Sequence, residues 1–270
     1  MNDLTVIITL YKTPKKQLEN LKSYKGLKTY IMEQSSEKNI KKELLSLIGK
    51  DLKYYRSKKN IGLSKSSNFL LSKVKTKYCL FTQADIKVDK KSINELKNFF
   101  IKKKDFIFVG PKITSSKIKK QKYKKREYKI VKKLDCALLL IDTKKIKEIG
   151  FFDIDYFLYW EDISLMDKIN KSKYKMAYLF NVCAFHLGEK SSIKNYKTDY
   201  IRWSNYRYGE YLYDYKSKNF KTIKILRRIM QNLIFSLMNI ILFRYNKLNL
   251  NLANLGGIFK FYKFYLNKKL

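Results

Sequence analysis

The chain has 270 residues, of which 45% are apolar, and its 60 basic and 23 acidic residues give a net charge of +37. This apolar fraction can build a sizeable core and excludes a compositionally disordered chain, although 31% of the residues are charged. The length fits one large domain, or a domain with a small appendage. Because the first apolar run is a five-residue, strand-like segment and not a signal peptide, we expect a cytoplasmic protein. The three cysteines lie in apolar runs without metal-type spacing and are expected to be reduced core residues.

The positive charge has two explanations of equal weight. Most basic residues are lysines, and Asn, Ile, Tyr and Phe are also abundant, which is the mixture that AT-rich codons encode. A selected basic surface would instead favour anionic membranes, nucleic acids or phosphorylated substrates. The lysines are spread along the whole chain, which argues against one dedicated groove.

Short apolar runs alternate with helical patterns in the first half of the chain. Thr13 and Pro14 are expected to open the first helix, and a Ser92/Glu95 capping box is expected at the start of a helix over 89–100. Another helix is predicted over 64–74. This alternation predicts an α/β domain with a largely parallel sheet, whose ligands bind at the carboxyl ends of the strands. Strands are predicted at 4–10, 28–32, 52–55, 78–82 and 106–109.

The second half begins with a basic segment and continues with a second α/β pattern. Residues 112–133 carry 11 basic residues against one glutamate and are expected to form an exposed loop or hairpin. A buried strand is predicted over 135–142, followed by a short helix over 143–149 that Gly150 ends.

The segment 150–188 carries the densest group of chemically useful side chains. Adjacent carboxylates, Glu161 and Asp162, follow an aromatic run, and the sole histidine, His186, lies 24 residues beyond Asp162. Carboxylates beside aromatic rings suit a polar ligand with apolar faces, such as a sugar. The residues alone leave His186 open as a ligand or a core residue, and Asp162 as a reacting group or a helix cap.

The character of the chain changes at residue 199. Residues 199–270 carry 14 basic and 3 acidic residues, and 223–243 contain a 15-residue apolar core. A membrane-spanning helix needs about 20 mostly apolar residues, so this run is too short. Helices lying on an anionic membrane surface and helices packed on the main domain are both compatible with the pattern.

Six motifs, taken together and in order, resemble the family 2 glycosyltransferases with the GT-A fold, close to the rhamnosyltransferase-like bacterial members. The resemblance covers roughly residues 4–210, and it depends on the order and spacing of the motifs. They are VIITLYK, MEQSS at 32–36, NIGLSKSSN at 60–68, LFTQAD at 80–85, GFFDIDYFLYWEDISL at 150–165 and AFHLGEKS at 184–191.

The resemblance implies an architecture. We expect a Rossmann-like GT-A domain over 1–198, in which a mostly parallel sheet is flanked by helices. Its nucleotide-sugar half is expected at about 1–111 and its acceptor half at about 134–198. Residues 199–270, most of which lie beyond the resemblance, are expected to form a helical extension that lies on the membrane surface or packs on the main domain.

The resemblance also implies chemical roles. Such enzymes invert the anomeric centre, and Asp162 matches the base that deprotonates the acceptor hydroxyl. Glu161 is expected to orient Asp162, to bind acceptor hydroxyls, or to be solvated, with equal weight. Tyr159 and Trp160 are expected to stack on acceptor sugar faces.

On the donor side, the resemblance implies Mg²⁺ or Mn²⁺, held by Asp85 with help from His186. Gln83 replaces the first acid of the usual D-x-D pattern, and Glu33 stands where relatives carry an aspartate that contacts the nucleotide base. Residues expected at the donor and nucleotide are Tyr11, Glu33, Asn60, Gly62, Asn68, Gln83 and Asp85.

The resemblance therefore implies an inverting glycosyltransferase of bacterial polysaccharide biosynthesis, acting on a lipid-linked or growing surface glycan at the cytoplasmic face of the inner membrane. One alternative is a basic nucleic-acid-binding protein, but zinc-finger spacing and an aromatic RNA-binding signature are both missing, so no nucleic-acid partner is expected. The other alternative, motivated by Gln83, is a non-catalytic transferase-like partner in a membrane assembly.

Overall fold

The computed structural model describes residues 2–34, 39–115, 127–186 and 195–268, which divide into two compact units. We call Met1–Phe152 with Leu165–Ile193 the sheet unit. We call Asp153–Ser164 with Lys194–Leu270 the helical unit. The aromatic run that ends at the carboxylate pair thus groups with the C-terminal helices.

The sheet unit is built on one mixed sheet. Its strand order is β3-β2-β1-β4-β8-β6-β9-β5, and β7 pairs with β9. Strands β3, β2, β1 and β4 are parallel, as predicted, whereas β8 runs antiparallel to both β4 and β6. The described residues form β1 (Leu4–Leu10), β2 (Thr29–Glu33), β3 (Leu52–Arg56), β4 (Tyr78–Thr82), β5 (Ile86–Lys87), β6 (Phe106–Thr114), β7 (Tyr128–Val131), β8 (Leu138–Asp142) and β9 (Lys175–His186).

Helices flank the sheet in one unit and make up most of the other. A 3-10 helix, Glu19–Tyr24, follows directly after the first α-helix. The helices are α1 (Lys15–Leu18), α2 (Lys41–Ile48), α3 (Leu63–Lys73), α4 (Lys90–Lys102), α5 (Thr143–Ile149), α6 (Glu161–Asn170), α7 (Tyr196–Lys216), α8 (Thr222–Ile241) and α9 (Tyr245–Asn267).

Two predicted helix caps are wrong. Pro14, not Thr13, holds the position before α1, and no side chain caps that helix. Helix α4 begins at Lys90, close to its predicted start, but it is capped by Asp89 and not by Ser92, since the Asp89 carboxylate accepts a hydrogen bond of 2.6 Å from the backbone N–H of Ser92. Aspartate and serine are both good caps, so composition alone does not choose between them.

Strand β6 does not end at Gly110 and Pro111 as predicted but continues to Thr114. Its pairing with β9 shifts register between Pro111 and Lys112. A proline has no N–H for a strand ladder and is tolerated at such an irregularity. The basic residues 116–126 of the predicted loop or hairpin lie outside the described residues.

The sheet is covered on both faces, which explains its long apolar runs. Along β1, Val6 and Ile8 join one buried cluster and Ile7 joins the other. Cys79 on β4 is buried in the second cluster, and this burial raises the pKa of its thiol. Cys136 and Cys183 are half-buried and form no disulfide bond.

The helical unit has an aromatic core of its own, formed by Tyr156, Tyr211, Leu212, Ile225, Ile258 and Phe261. Helices α7 and α9 approach each other closely where α9 carries Gly256 and Gly257. Among the described residues, none of the helices combines the length and the apolar composition that crossing a membrane requires.

Candidate functional site

A buried carboxylate and the only histidine meet in the sheet unit. Asp85 follows the end of β4 by three residues, and its side chain is fully buried. Strand β5 pairs antiparallel with the end of β9 and sets Ile86 opposite His186. This pairing brings Asp85 Oδ2 to 3.3 Å from Nε2 of His186, although the two residues are 101 positions apart (186 − 85). The hydrogen bond that His186 donates to Asp85 raises the pKa of His186, against the opposing effect of burial.

The turn that presents Asp85 is stabilised by hydrogen bonds to two of its backbone carbonyls. The carbonyl of Gln83 accepts a hydrogen bond of 3.2 Å from the N–H of Ile86. The carbonyl of Ala84 accepts one of 2.9 Å from the side-chain amide of Asn20. Gln83, which stands where the usual D-x-D pattern has its first acid, is half-buried and lies in the same turn as Asp85.

The Asp85–His186 pair fits a divalent cation that arrives with a diphosphate. In the part of the chain that the structure describes, no group of three His, Cys, Asp or Glu side chains converges to hold an ion. Mg²⁺ and similar ions often take one or two protein ligands and complete their shell with phosphate oxygens and water. A carboxylate and an imidazole are suitable contributors to such a shell.

The carboxyl ends of β1 and β2 carry two predicted donor residues. Tyr11 follows β1 and is half-buried, and Glu33 ends β2 with 3% of its surface exposed. In the parallel pairing of β2 with β3, Glu33 lies opposite Arg56. The charge of the carboxylate also contributes to a raised pKa of Tyr54, after burial.

Gln34 is not among the predicted site residues, but it ties this strand end to the next loop. Its Oε1 accepts a hydrogen bond of 3.0 Å from the N–H of Ile61, and its Nε2 donates one of 3.3 Å to Oγ of Ser66. Gln34 lies inside the motif MEQSS, but an amide offers no charge by which to single it out.

The loop before α3 is shaped by the residues predicted to contact the donor. Asn60 Oδ1 accepts a hydrogen bond of 3.0 Å from the N–H of Gly62, whose φ of +86° belongs to the left-handed region. The Asn68 amide donates at 2.7 Å to the carbonyl of Phe152 and accepts at 3.0 Å from the N–H of the same residue. Asn68 therefore holds the backbone just before the aromatic run, and its predicted donor contact stays a prediction.

The carboxylate pair opens α6, and its two members differ in environment. Glu161 is 4% exposed, and its Oε2 has no hydrogen-bond partner among the described residues. Burial first, and the charge of Asp162 second, raise the pKa of Glu161 to about 8. Asp162 is half-buried, lies within the first turn of the helix, and accepts a hydrogen bond of 2.8 Å from the N–H of Ile163.

Replacing Glu161 by glutamine is expected to flatten the pH dependence of stability. The folded protein keeps a proton on this carboxyl up to about pH 8, whereas an ordinary glutamate releases it near 4.5, so the free energy of unfolding falls as pH rises between these values. Glutamine mimics the neutral acid and removes that loss, which is on the order of several kcal/mol at about 1.4 kcal/mol per pKa unit. Urea unfolding at pH 5 and pH 8 measures it.

The free energy of unfolding of Glu161→Gln should exceed that of wild type at pH 8 and be close to it at pH 5. Glu95→Gln on α4 is the control and should track wild type at both values. A Glu161→Gln variant whose pH dependence parallels that of wild type would contradict the raised pKa.

A strained turn precedes the carboxylate pair. Tyr159 and Trp160 have φ values of +69° and +72°, a conformation that costs bulky residues about 1–2 kcal/mol each. Arg202 on α7 donates from Nε to the Tyr159 hydroxyl at 3.0 Å. A Cβ at Gly209 on α7 would lie 2.9 Å from Cδ1 of Trp160, so the missing side chain lets the helix contact this turn. Strain held in this way is typical of functional sites.

Gly209 is not among the predicted site residues either, although a glycine within an aromatic helix is a signal of close approach. Both aromatic residues that were predicted to bind the acceptor take part in packing. The Trp160 ring lies 5.3 Å from that of Tyr213, and the rings of Tyr159 and Tyr206 are 5.7 Å apart. Their predicted stacking on a sugar stays a prediction.

Residues 5–166 match the family described as Glycosyl transferase family 2. The chain belongs to this family. The match includes the strand ends, the Asp85 turn and the carboxylate pair, whereas His186 and the helices that follow lie beyond it. No curated protein matches this chain.

Solved structures confirm the GT-A fold of this family 2 member. S. aureus TarS, residues 1–349, is 15% identical with a TM-score of 0.53 over 75% of this chain and 65% of that one. GalNAc-T7 with UDP, GalNAc and Mn²⁺ is 14% identical with a TM-score of 0.57 over 77% and 47%. The mannosyltransferase PcManGT from Pyrobaculum calidifontis, with GDP-Man and Mn²⁺, is 12% identical with a TM-score of 0.56 over 78% and 64%. The chain thus spans less than two thirds of these proteins, and the likeness is one of fold.

Proposed function

We propose that this protein is an inverting glycosyltransferase that moves a hexose or deoxyhexose from a nucleotide-diphosphate sugar to a lipid-linked or growing surface glycan. The observation that carries the proposal is the Asp85–His186 pair, with 3.3 Å between Oδ2 and Nε2, beyond the carboxyl end of β4. Ligands of α/β sheets bind at such strand ends. Solved neighbours with bound UDP-GlcNAc, or with GDP-Man and Mn²⁺, support a nucleotide-sugar donor.

On the donor side, Asp85 and His186 would hold Mg²⁺ or Mn²⁺. When bound, the ion supplies positive charge that stabilises the departing diphosphate. Glu33 and Tyr11 would contact the nucleotide, and Gly62 would allow its backbone to approach closely.

On the acceptor side, Asp162 would take the proton of the acceptor hydroxyl. As that oxygen bonds to the anomeric carbon, the bond from this carbon to the diphosphate oxygen breaks, and the nucleoside diphosphate leaves from the opposite face. Glu161 keeps its proton near neutral pH, because burial raises its pKa to about 8. A protonated Glu161 cannot take a further proton, which leaves Asp162 as the member of the pair assigned to this step.

The donor site is tested by ligand-induced stabilisation. Wild type is expected to gain thermal stability with one class of uridine-, guanosine- or thymidine-diphosphate sugar in the presence of Mn²⁺, since a ligand that binds only the folded state stabilises it. Asp85→Asn keeps the shape of the side chain but removes its charge, and is expected to abolish the Mn²⁺-dependent part of the shift.

Asp51→Ala, an exposed aspartate of the sheet unit, is the control and should respond like wild type. The midpoint of each variant without ligand shows whether it folds. An unchanged Mn²⁺-dependent shift in Asp85→Asn would remove Asp85 from the metal site. The absence of transfer and of donor hydrolysis with every donor would instead favour a non-catalytic partner.

We also propose that the protein acts in polysaccharide biosynthesis as a peripheral protein on the cytoplasmic face of the inner membrane. The positively charged C-terminal region, with 14 basic and 3 acidic residues in 199–270, supports this placement.

A further inference from the structure

Helix α8 has an inverted arrangement of side chains. The face buried in the helical unit carries three polar residues, Asn232, Ser236 and Asn239, besides Ile225. The outward face of α8 includes large apolar side chains that are each at least half exposed. Five of them are Met230, Leu233, Ile234, Leu237 and Ile241. A helix of a water-soluble bundle normally shows the reverse pattern.

Hydrogen bonds determine which face of α8 points inward. Asn232 Oδ1 accepts a hydrogen bond of 3.2 Å from the side-chain amide of Asn254 on α9, whose Oδ1 accepts one of 3.3 Å from Arg207 on α7. Ser236 donates to the Asn232 carbonyl at 2.7 Å. Rotating the helix to bury its apolar face would break this connection between three helices and bury unpaired polar groups, which is costly. The outward apolar face is therefore a fixed feature.

The turn between α8 and α9 extends the apolar surface. Phe243 is 75% exposed and has a φ of +51°, in the left-handed region. Glycine is the usual residue at such a helix end, and a bulky aromatic side chain there is conformationally unfavourable. Within the described structure this residue gains no burial that would offset the strain. We call the apolar outward face of α8 together with Leu242 and Phe243 the apolar ridge.

The charges around the apolar ridge select its partner. No acidic residue follows Asp214, whereas 12 basic residues do. Exposed Arg227 and Arg228 lie in the first half of α8, and exposed Arg244 and Lys247 follow the turn. Apolar side chains flanked by cations alone match an anionic bilayer, which offers hydrocarbon below a negative surface. A second copy of this chain would bring like charges together, and a nucleic acid offers no apolar layer for the ridge.

We propose that the apolar ridge is the surface by which this protein docks, parallel to the membrane plane, on an anionic lipid bilayer. Helix α8 has 20 residues but does not meet the requirements of a spanning segment, so it lies in the interface and does not cross it. The proposal concerns the lipid surface alone and does not depend on the donor chemistry.

Vesicle co-sedimentation of the full chain tests the proposal. Wild type is expected to pellet with vesicles of phosphatidylglycerol and phosphatidylcholine, and at least 10-fold less with phosphatidylcholine alone. The triple variant Leu237→Ser, Ile241→Ser, Phe243→Ser is expected to lose at least 10-fold in partitioning to the anionic vesicles. Arg227→Gln with Arg228→Gln is expected to weaken binding and reduce its dependence on salt.

The matched control is Ile101→Ser with Ile130→Ser, two side chains of the sheet unit that are 55% and 53% exposed. This control should bind as wild type does. Far-UV circular dichroism shows that each variant is folded. Wild type that does not pellet, or a triple variant that pellets as wild type does, overturns the proposal. The proposal is also overturned if the ridge is a contact between copies of the chain. In that case wild type forms a dimer that does not bind vesicles, and the triple variant is a monomer.

Discussion

Replacing Asp162 by asparagine is expected to lower the rate of sugar transfer by about 10²–10⁴-fold, the usual contribution of a general base. The amide keeps the size of the side chain but cannot accept the proton of the acceptor hydroxyl. Glu161 does not substitute for it near neutral pH, because burial, the larger cause of its raised pKa, persists in the variant although the charge of Asp162 is lost. Donor affinity, measured by the Mn²⁺-dependent thermal shift, is expected to stay at the wild-type value.

Two controls sharpen this result. Asp167→Asn changes a carboxylate of the same helix, α6, that has no assigned role, and its rate should equal that of wild type. A rate of Asp162→Asn that stays low as the pH is raised would show that Glu161 does not replace the base when it ionises. Undiminished transfer by Asp162→Asn at pH 7 would assign the base to another residue.

Replacing Gly257 by alanine is expected to destabilise the helical unit by about 1–3 kcal/mol, the usual cost of overpacking. A Cβ at this position would overlap the backbone carbonyl of Ser204 and lie 2.7 Å from Cβ of Arg207, both on α7. Neither atom can move without separating α9 from α7. The roughly 1 kcal/mol by which alanine favours a helix over glycine offsets only part of this cost.

Gly256→Ala is the matched control. Its Cβ would meet the hydroxyl end of the Tyr200 side chain, which can rotate away, so its stability should stay close to that of wild type. Both tryptophans, Trp160 and Trp203, belong to the helical unit, so their fluorescence during urea unfolding reports this unit. Equal midpoints for the two variants would contradict the close approach of α7 and α9.

Much of the fold could be predicted because strand and helix patterns are local. Strand β4 has its predicted bounds, 78–82, and all five of its residues are buried. Helix α2 was not predicted, because Lys41–Ile48 is short and rich in charge at its start. The antiparallel entry of β8 beside β4 was not predicted either, since strand direction depends on partners distant in the chain.

The candidate site was predictable by residue type but not by arrangement. Asp85, Glu161, Asp162 and His186 were identified from motifs. The 3.3 Å between Asp85 and His186 results from the pairing of β5 with β9, which no local pattern specifies. The buried state of Glu161 also depends on tertiary packing, so its raised pKa could not be read from the E-D pair.

By itself, the sequence determined which residues can share a face, where carboxylates follow strands, and to which family the motifs belong, because these are properties of neighbours along the chain. Only the tertiary structure decided which face is covered. Helix α8 has an apolar and a polar face in either environment, and its asparagine contact with α9 turns the apolar one outward. The left-handed turn at Tyr159 and Trp160 likewise exists because Gly209 and Arg202 of α7 hold it, and those contacts join residues more than 40 positions apart.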